Sequence, residues 1–110
     1  MIKILIYVSH KYGGKTENLE RAKKITHDLQ IKDLENTYIC PLSVFSHLRY
    51  GEIGYKAEME LCLDLLTCAD VLVVASEISN GVQEEINFAK LVKMEVMRLD
   101  ENGELRPFAE

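Results

Sequence analysis

Short apolar runs alternate along the chain with longer segments in which apolar positions recur every three to four residues. Residues 2–8 are apolar except for Lys3, the pattern of a strand buried on both faces. A polar, glycine-bearing loop follows, Ser9-His10-Lys11-Tyr12-Gly13-Gly14-Lys15. Thr16 then suits the N-cap of a helix to about residue 29, with Leu19, Ala22, Ile25 and Leu29 on one stripe. Residues 38–42 predict a short second strand, which Pro41 marks as a strand end or edge. Residues 43–53 are irregular, with Phe45, Leu48 and Tyr50 available to pack, and a second helix is expected over 54–68. Residues 70–75, Asp followed by Val-Leu-Val-Val-Ala, form the clearest strand. Ser79-Asn80-Gly81 is a turn and cap before a third helix over 82–92. A fourth strand over 94–99 and a polar tail from Asp100 complete the chain.

This order, β-α-β-α-β-α-β, predicts an α/β protein: a three-layer, Rossmann-like (flavodoxin-like) fold on a four-stranded parallel sheet with right-handed crossovers. With 110 residues the chain has the length of a single domain, 1–110, and it shows no internal repeat or linker. In such sheets ligands lie beyond the carboxyl ends of the strands. The segments to search are therefore 9–16, 41–52 and 76–82.

Composition narrows the class. A net charge of −5 argues against a nucleic-acid polymer as partner. No apolar run reaches the roughly 18–20 residues of a membrane span, and residues 2–8 are too short for a signal peptide. A soluble, cytoplasmic protein is expected. Cys40, Cys62 and Cys68 form no CxxC pair and have no histidine at zinc-finger spacing. They read as small hydrophobes in a reducing compartment, so neither a metal site nor a cofactor is expected.

Gly14-Lys15-Thr16 resembles the end of a phosphate-binding P-loop, but Ser9 stands where its first glycine belongs, and Asp70 opens its strand rather than closing it. Two narrower readings remain for Gly13 and Gly14: an anion site made by amide N–H groups before a helix, or an ordinary strand-to-helix turn. Under the first, the loop converges with Ser79-Asn80-Gly81, and Lys11 and Lys15 add charge where a phosphate would rest.

The third helix carries the sharpest signal. At about 100° per residue, Val82, Ile86, Phe88, Ala89 and Val92 span one arc, while Gln83, Glu84, Asn87 and Lys90 share the other with Leu91. Glu85 falls inside the apolar arc, where a carboxylate is costly unless it is used. Either it snorkels to the helix edge or pairs with a lysine, or it is a functional group. Burial raises its pKa while helix N–H groups lower it; the second influence is expected to prevail, leaving Glu85 ionised at neutral pH. Glu84 is expected to be an ordinary solvent-facing residue.

Ser79-Asn80-Gly81 with Glu85 and Ala89, Ile6-Tyr7-Val8-Ser9 with Gly13-Gly14, and Leu65-Leu66-Thr67-Cys68-Ala69-Asp70 together resemble the nucleoside 2-deoxyribosyltransferase-like superfamily. The likeness extends over nearly the whole chain and is strongest to short bacterial and phage members, through Ser9-His10-Lys11-Tyr12-Gly13-Gly14. The resemblance implies that Glu85 attacks the anomeric carbon of a nucleoside or nucleotide and releases the base. It implies that Tyr7 positions that nucleophile, though plain strand filling would look the same, and that Ser79 contacts a 5′-phosphate, though a capping serine would look the same. Ser9, His10, Gly13, Gly14, Lys15, Asn80 and Gly81 complete the expected binding residues. The family's second acid, an Asp that assists the leaving base, falls on Cys62; Glu58, one turn earlier, is the candidate replacement. The expected function is thus N-glycosidic cleavage or transfer. The alternative is a non-catalytic protein that senses or sequesters a nucleotide. The resemblance also implies a homodimer whose subunits complete each other's pocket.

Overall fold

Two runs of apolar, largely β-branched residues form the centre of a five-stranded sheet. The computed structural model describes residues 3–109. Its elements are β1 (Leu5–Ser9), α1 (Thr16–Lys32), β2 (Thr37–Ile39), α2 (Pro41–Val44), α3 (Tyr55–Leu66), β3 (Val71–Val74), α4 (Asn80–Leu91), β4 (Glu95–Leu99) and β5 (Leu105–Pro107). The strand order is β2-β1-β3-β4-β5. β1 pairs in parallel with β2 and β3, and β3 with β4, while β5 runs antiparallel to β4. The sheet is therefore mostly parallel.

Successive residues of a strand point to opposite faces. β1 and β3, each flanked by a strand on both sides, feed two cores. Ile6, Val8, Val71 and Val73 pack with Ala22 and Leu29 of α1. Tyr7, Leu72 and Val74 pack on the other face with Leu66 of α3 and Val82, Ile86 and Ala89 of α4. Both strands are covered above and below, which is why they read as continuous apolar runs rather than alternating ones.

The sheet has five strands, not four. The fifth escapes the periodicity because only Leu105 of its three residues is apolar. What builds it is polar: the Asp100 carboxylate accepts hydrogen bonds from the Asn102 and Glu104 amides and from Arg106 Nε, each at 2.9 Å. The second strand stops at Ile39 because Pro41 opens the short helix α2, at a position where its missing N–H has no partner to lose. Thr16 is the first helical residue of α1 rather than its cap; Lys15 holds the cap position and makes no side-chain cap bond. α4 begins at Asn80, with Ser79 as N-cap accepting from the Val82 amide at 3.3 Å. Val92 follows the end of α4 and is exposed, so it leaves the buried arc assigned to it. The first residue of the predicted strand 2–8 lies outside the described residues. No helix among those described is long and apolar enough to cross a membrane.

Leu72 is fully buried between β1 and the α3–α4 layer, whereas Leu91 is 80% exposed. Leu72→Ala should lower unfolding free energy by about 2–5 kcal/mol, and Leu91→Ala should change it by less than about 0.5 kcal/mol. Urea unfolding of both variants checks this.

Candidate active site

Glu85 sits where the carboxyl end of β1 meets the second turn of α4. Tyr7 and Ser9 are two residues apart on β1, so both point to the face that α4 covers. The Tyr7 hydroxyl donates to Glu85 Oε2. Ser9 Oγ donates to Oε1 at 2.6 Å. Tyr7 also lies 3.4 Å from the Cys62 carbonyl, which ties the hydroxyl to α3. Tyr7 and Ser9 are wholly buried and Glu85 is 5% exposed. The apolar-arc placement of Glu85 therefore holds, and it neither snorkels to solvent nor pairs with a lysine.

Its ionisation differs from expectation. Burial dominates and lifts the Glu85 pKa to about 7, against the opposing hydrogen bonds from Ser9 and Tyr7 and with a small push from Glu84. The first-turn amides of α4 do not offset this: Val82 and Gln83 N–H groups are spent on Ser79. The Tyr7 hydroxyl is driven well above its usual range by burial and by Glu85, so it remains a donor.

A cavity of about 440 Å³ opens over Glu85. His10, Gly13, Glu58, Ser79, Asn80 and Gly81, all expected from sequence, line it with Glu85. Tyr7 and Ser9 are not part of its wall and act through Glu85. Lys15 and Gly14 do not line it either. Gly14 has φ of +76°, and a Cβ there would lie 2.8 Å from the Tyr50 ring. That glycine makes room for Tyr50, which also stands edge-on to Tyr12 at 5.4 Å between centroids. Lys11 pairs with Glu77 at 2.9 Å. Glu58 lines the cavity, but its Oε1 accepts from the Gly51 amide at 2.8 Å and so holds the 49–54 turn.

Tyr55 lines the cavity and was not anticipated. Its hydroxyl donates to Glu84, which pushes the Tyr55 pKa up to about 12. Glu84 is thus a tether for the cavity rim rather than an idle surface residue; an aromatic residue directly after Gly54, just beyond the segment 41–52, was the available signal. A smaller apolar recess adjoins the cavity and shares Tyr12, Pro41, Leu42, Tyr50, Glu58 and Cys62 with it. Burial, then Glu85, raises the Cys62 thiol to about 12, so it stays protonated. His10 is held below its usual pKa, chiefly by burial. The neutral ring donates from Nδ1 to the Lys11 carbonyl at 2.7 Å, which leaves Nε2 a buried acceptor with no partner among the described residues. No group of three or more His, Cys, Asp or Glu side chains among the described residues is placed to hold a metal ion.

Because the folded state raises the Glu85 pKa above its ordinary 4.5, it binds that proton more tightly than the unfolded chain. The associated stability is complete below about pH 4.5 and is lost as pH rises through about 7. The loss amounts to roughly 3 kcal/mol. Glu85→Gln cannot titrate, so its stability relative to wild type should improve by that amount between about pH 4 and pH 8. Urea unfolding at both pH values measures it; a constant difference would mean that Glu85 titrates normally.

No family model matches the sequence, and no curated protein matches it. Among solved structures the chain is similar to a conserved protein from Enterococcus faecalis V583, with a TM-score of 0.73 at 16% identity over 88% of this chain. The chain spans 63% of the length of that structure. At this identity the likeness is one of fold: a mixed α/β domain.

Proposed function

We propose that the protein binds a nucleoside or nucleotide and cleaves or transfers at its N-glycosidic bond, with Glu85 as nucleophile. The observation that carries this is a single carboxylate, buried yet facing a cavity, with both oxygens held by hydroxyls from one strand. The reading places the chain in the nucleoside 2-deoxyribosyltransferase-like superfamily and its sheet among flavodoxin-like folds. The strand order β2-β1-β3-β4-β5 supports the second part.

In this reaction a Glu85 oxygen forms a bond to the anomeric carbon as the carbon–nitrogen bond breaks. The electron pair leaves with the base, which takes up a proton from solvent water. Water or a ring nitrogen of an acceptor base then attacks the anomeric carbon of the glycosyl ester, gives up a proton to solvent, and frees the Glu85 carboxylate. Tyr7 and Ser9 orient the carboxylate in both steps. The exposed apolar side chains Tyr50, Ile53 and Tyr55, of which the two tyrosines line the cavity, support extending the proposal to a dimer that covers the cleft.

A second reading has its own support. Cys62 stays a neutral thiol where the superfamily has an acid, and Glu58 is engaged by Gly51. A base leaving from this cavity meets no free carboxylic acid, as a protein that binds without cleaving would also show.

Chromatography of released base from a nucleoside panel separates the two. Glu85→Gln should reduce release by at least about 100-fold, the scale of losing a nucleophile, while the exposed Glu60→Gln should leave it unchanged. Equal release from Glu85→Gln and wild type would sink the nucleophile; tight binding without release would establish the binding protein instead. Turnover should rise with pH through about 7 as Glu85 ionises. Tyr7→Phe removes a hydrogen bond that lowers the Glu85 pKa and should shift that rise to higher pH.

A further inference from the structure

The wall of the Glu85 cavity contains neither lysine nor arginine. Its ionisable groups are the carboxylates Glu58 and Glu85, the imidazole of His10, the Cys62 thiol and the hydroxyls of Tyr12, Tyr50 and Tyr55. His10 is neutral, and the Tyr55 hydroxyl and Cys62 thiol stay protonated. Every charge the wall carries at neutral pH is therefore negative. Arg21, and Lys56 next to Tyr55, lie outside the wall, and two cations beside its loops are already paired. Lys11 pairs with Glu77, and Arg49, which borders the adjoining recess, pairs with Glu52 at 3.6 Å. Lys15 lies outside the wall. The N-terminus of α4 brings about half a positive charge, with Ser79 Oγ already occupied by the Val82 amide. A phosphate monoester brings about 1.5 to 2 negative charges.

The wall is also rich in acceptors: two carboxylates and the Ser79 and Asn80 side-chain oxygens. Acceptors call for O–H and N–H donors, which sugar hydroxyls supply and an ionised phosphate lacks.

We infer that the cavity selects an uncharged, hydroxyl-bearing nucleoside and discriminates against its 5′-phosphate. This rests on the nucleoside reading above and reverses the anion-tolerant pocket that the glycine loop suggested. Ser79, in this assignment, is a helix cap that offers its hydroxyl proton to a sugar oxygen and not a phosphate ligand.

Carbocyclic nucleosides and their 5′-monophosphates lack the cleavable acetal bond, so their binding is measured without turnover. Calorimetric titration near pH 8, at about 20 mM and about 200 mM salt, compares each pair. The nucleoside should bind at least about tenfold more tightly, and the gap should widen at low salt, where like charges are less screened. Glu58→Gln, whose amide oxygen still accepts from Gly51, should narrow the gap by weakening the repulsion. A monophosphate that binds as tightly as its nucleoside, or a gap that ignores both salt and Glu58, overturns the inference while leaving the nucleoside reading intact. Absence of binding by every pair overturns that reading itself, and this inference with it.

Discussion

A carboxylate withdrawn from water is the constraint around which the other features are arranged. Leaving Glu85 unpaired at its depth would be costly. Two hydroxyls of β1 meet that cost, and they reach it only because β1 lies in the interior of the sheet with α4 seated across its end. The seating is apolar: Val82, Ile86 and Ala89 of α4 pack on the same face of the sheet as Tyr7 and Leu72. Tyr7 belongs to both systems, since its ring fills the core and its hydroxyl serves the site. Packing and chemistry are thus joined in one side chain, and a loosened core would misplace the carboxylate.

Most of the framework was legible in the sequence because it is written in periodicity. Continuous apolar runs marked β1 and β3, and the three-to-four spacing marked α1 and α4. The same spacing singles out Glu85, since one acidic residue on an apolar arc is a local signal. What stayed hidden depends on partners remote in sequence or on polar contacts. β5 is organised by Asp100 and carries little hydrophobic pattern. Gly14 looked like part of a phosphate loop because its partner, Tyr50, lies in a segment without regular pattern. The charge state of Glu85 could not be weighed from a helix position alone, because it turns on how completely the surrounding layers exclude water.

Residues 41–55 supply much of the cavity wall without supplying its chemistry. Pro41, Leu42, Tyr50 and Tyr55 line it, while Glu58 and Glu84 tether the segment to α3 and α4 through Gly51 and Tyr55. Two of the acidic residues near the cavity therefore work as fasteners for a wall, and the third, Glu85, is left buried beneath it. The division follows from burial: the tethers touch solvent, where a carboxylate is easily kept charged, and Glu85 does not.

The margins of the sheet carry a different consequence. At one margin β2 is only three residues long, and the Tyr38 amide donates to the Gln30 side chain at 2.9 Å instead of standing open. At the other, β5 ends in Pro107, which has no amide hydrogen to offer, and Arg106 is drawn to Asp100. Short rims, a side-chain plug and a proline are devices that deny a passing strand its docking ladder. Polymerisation through backbone pairing is thereby discouraged at high concentration, and contact between copies is steered toward side-chain surfaces.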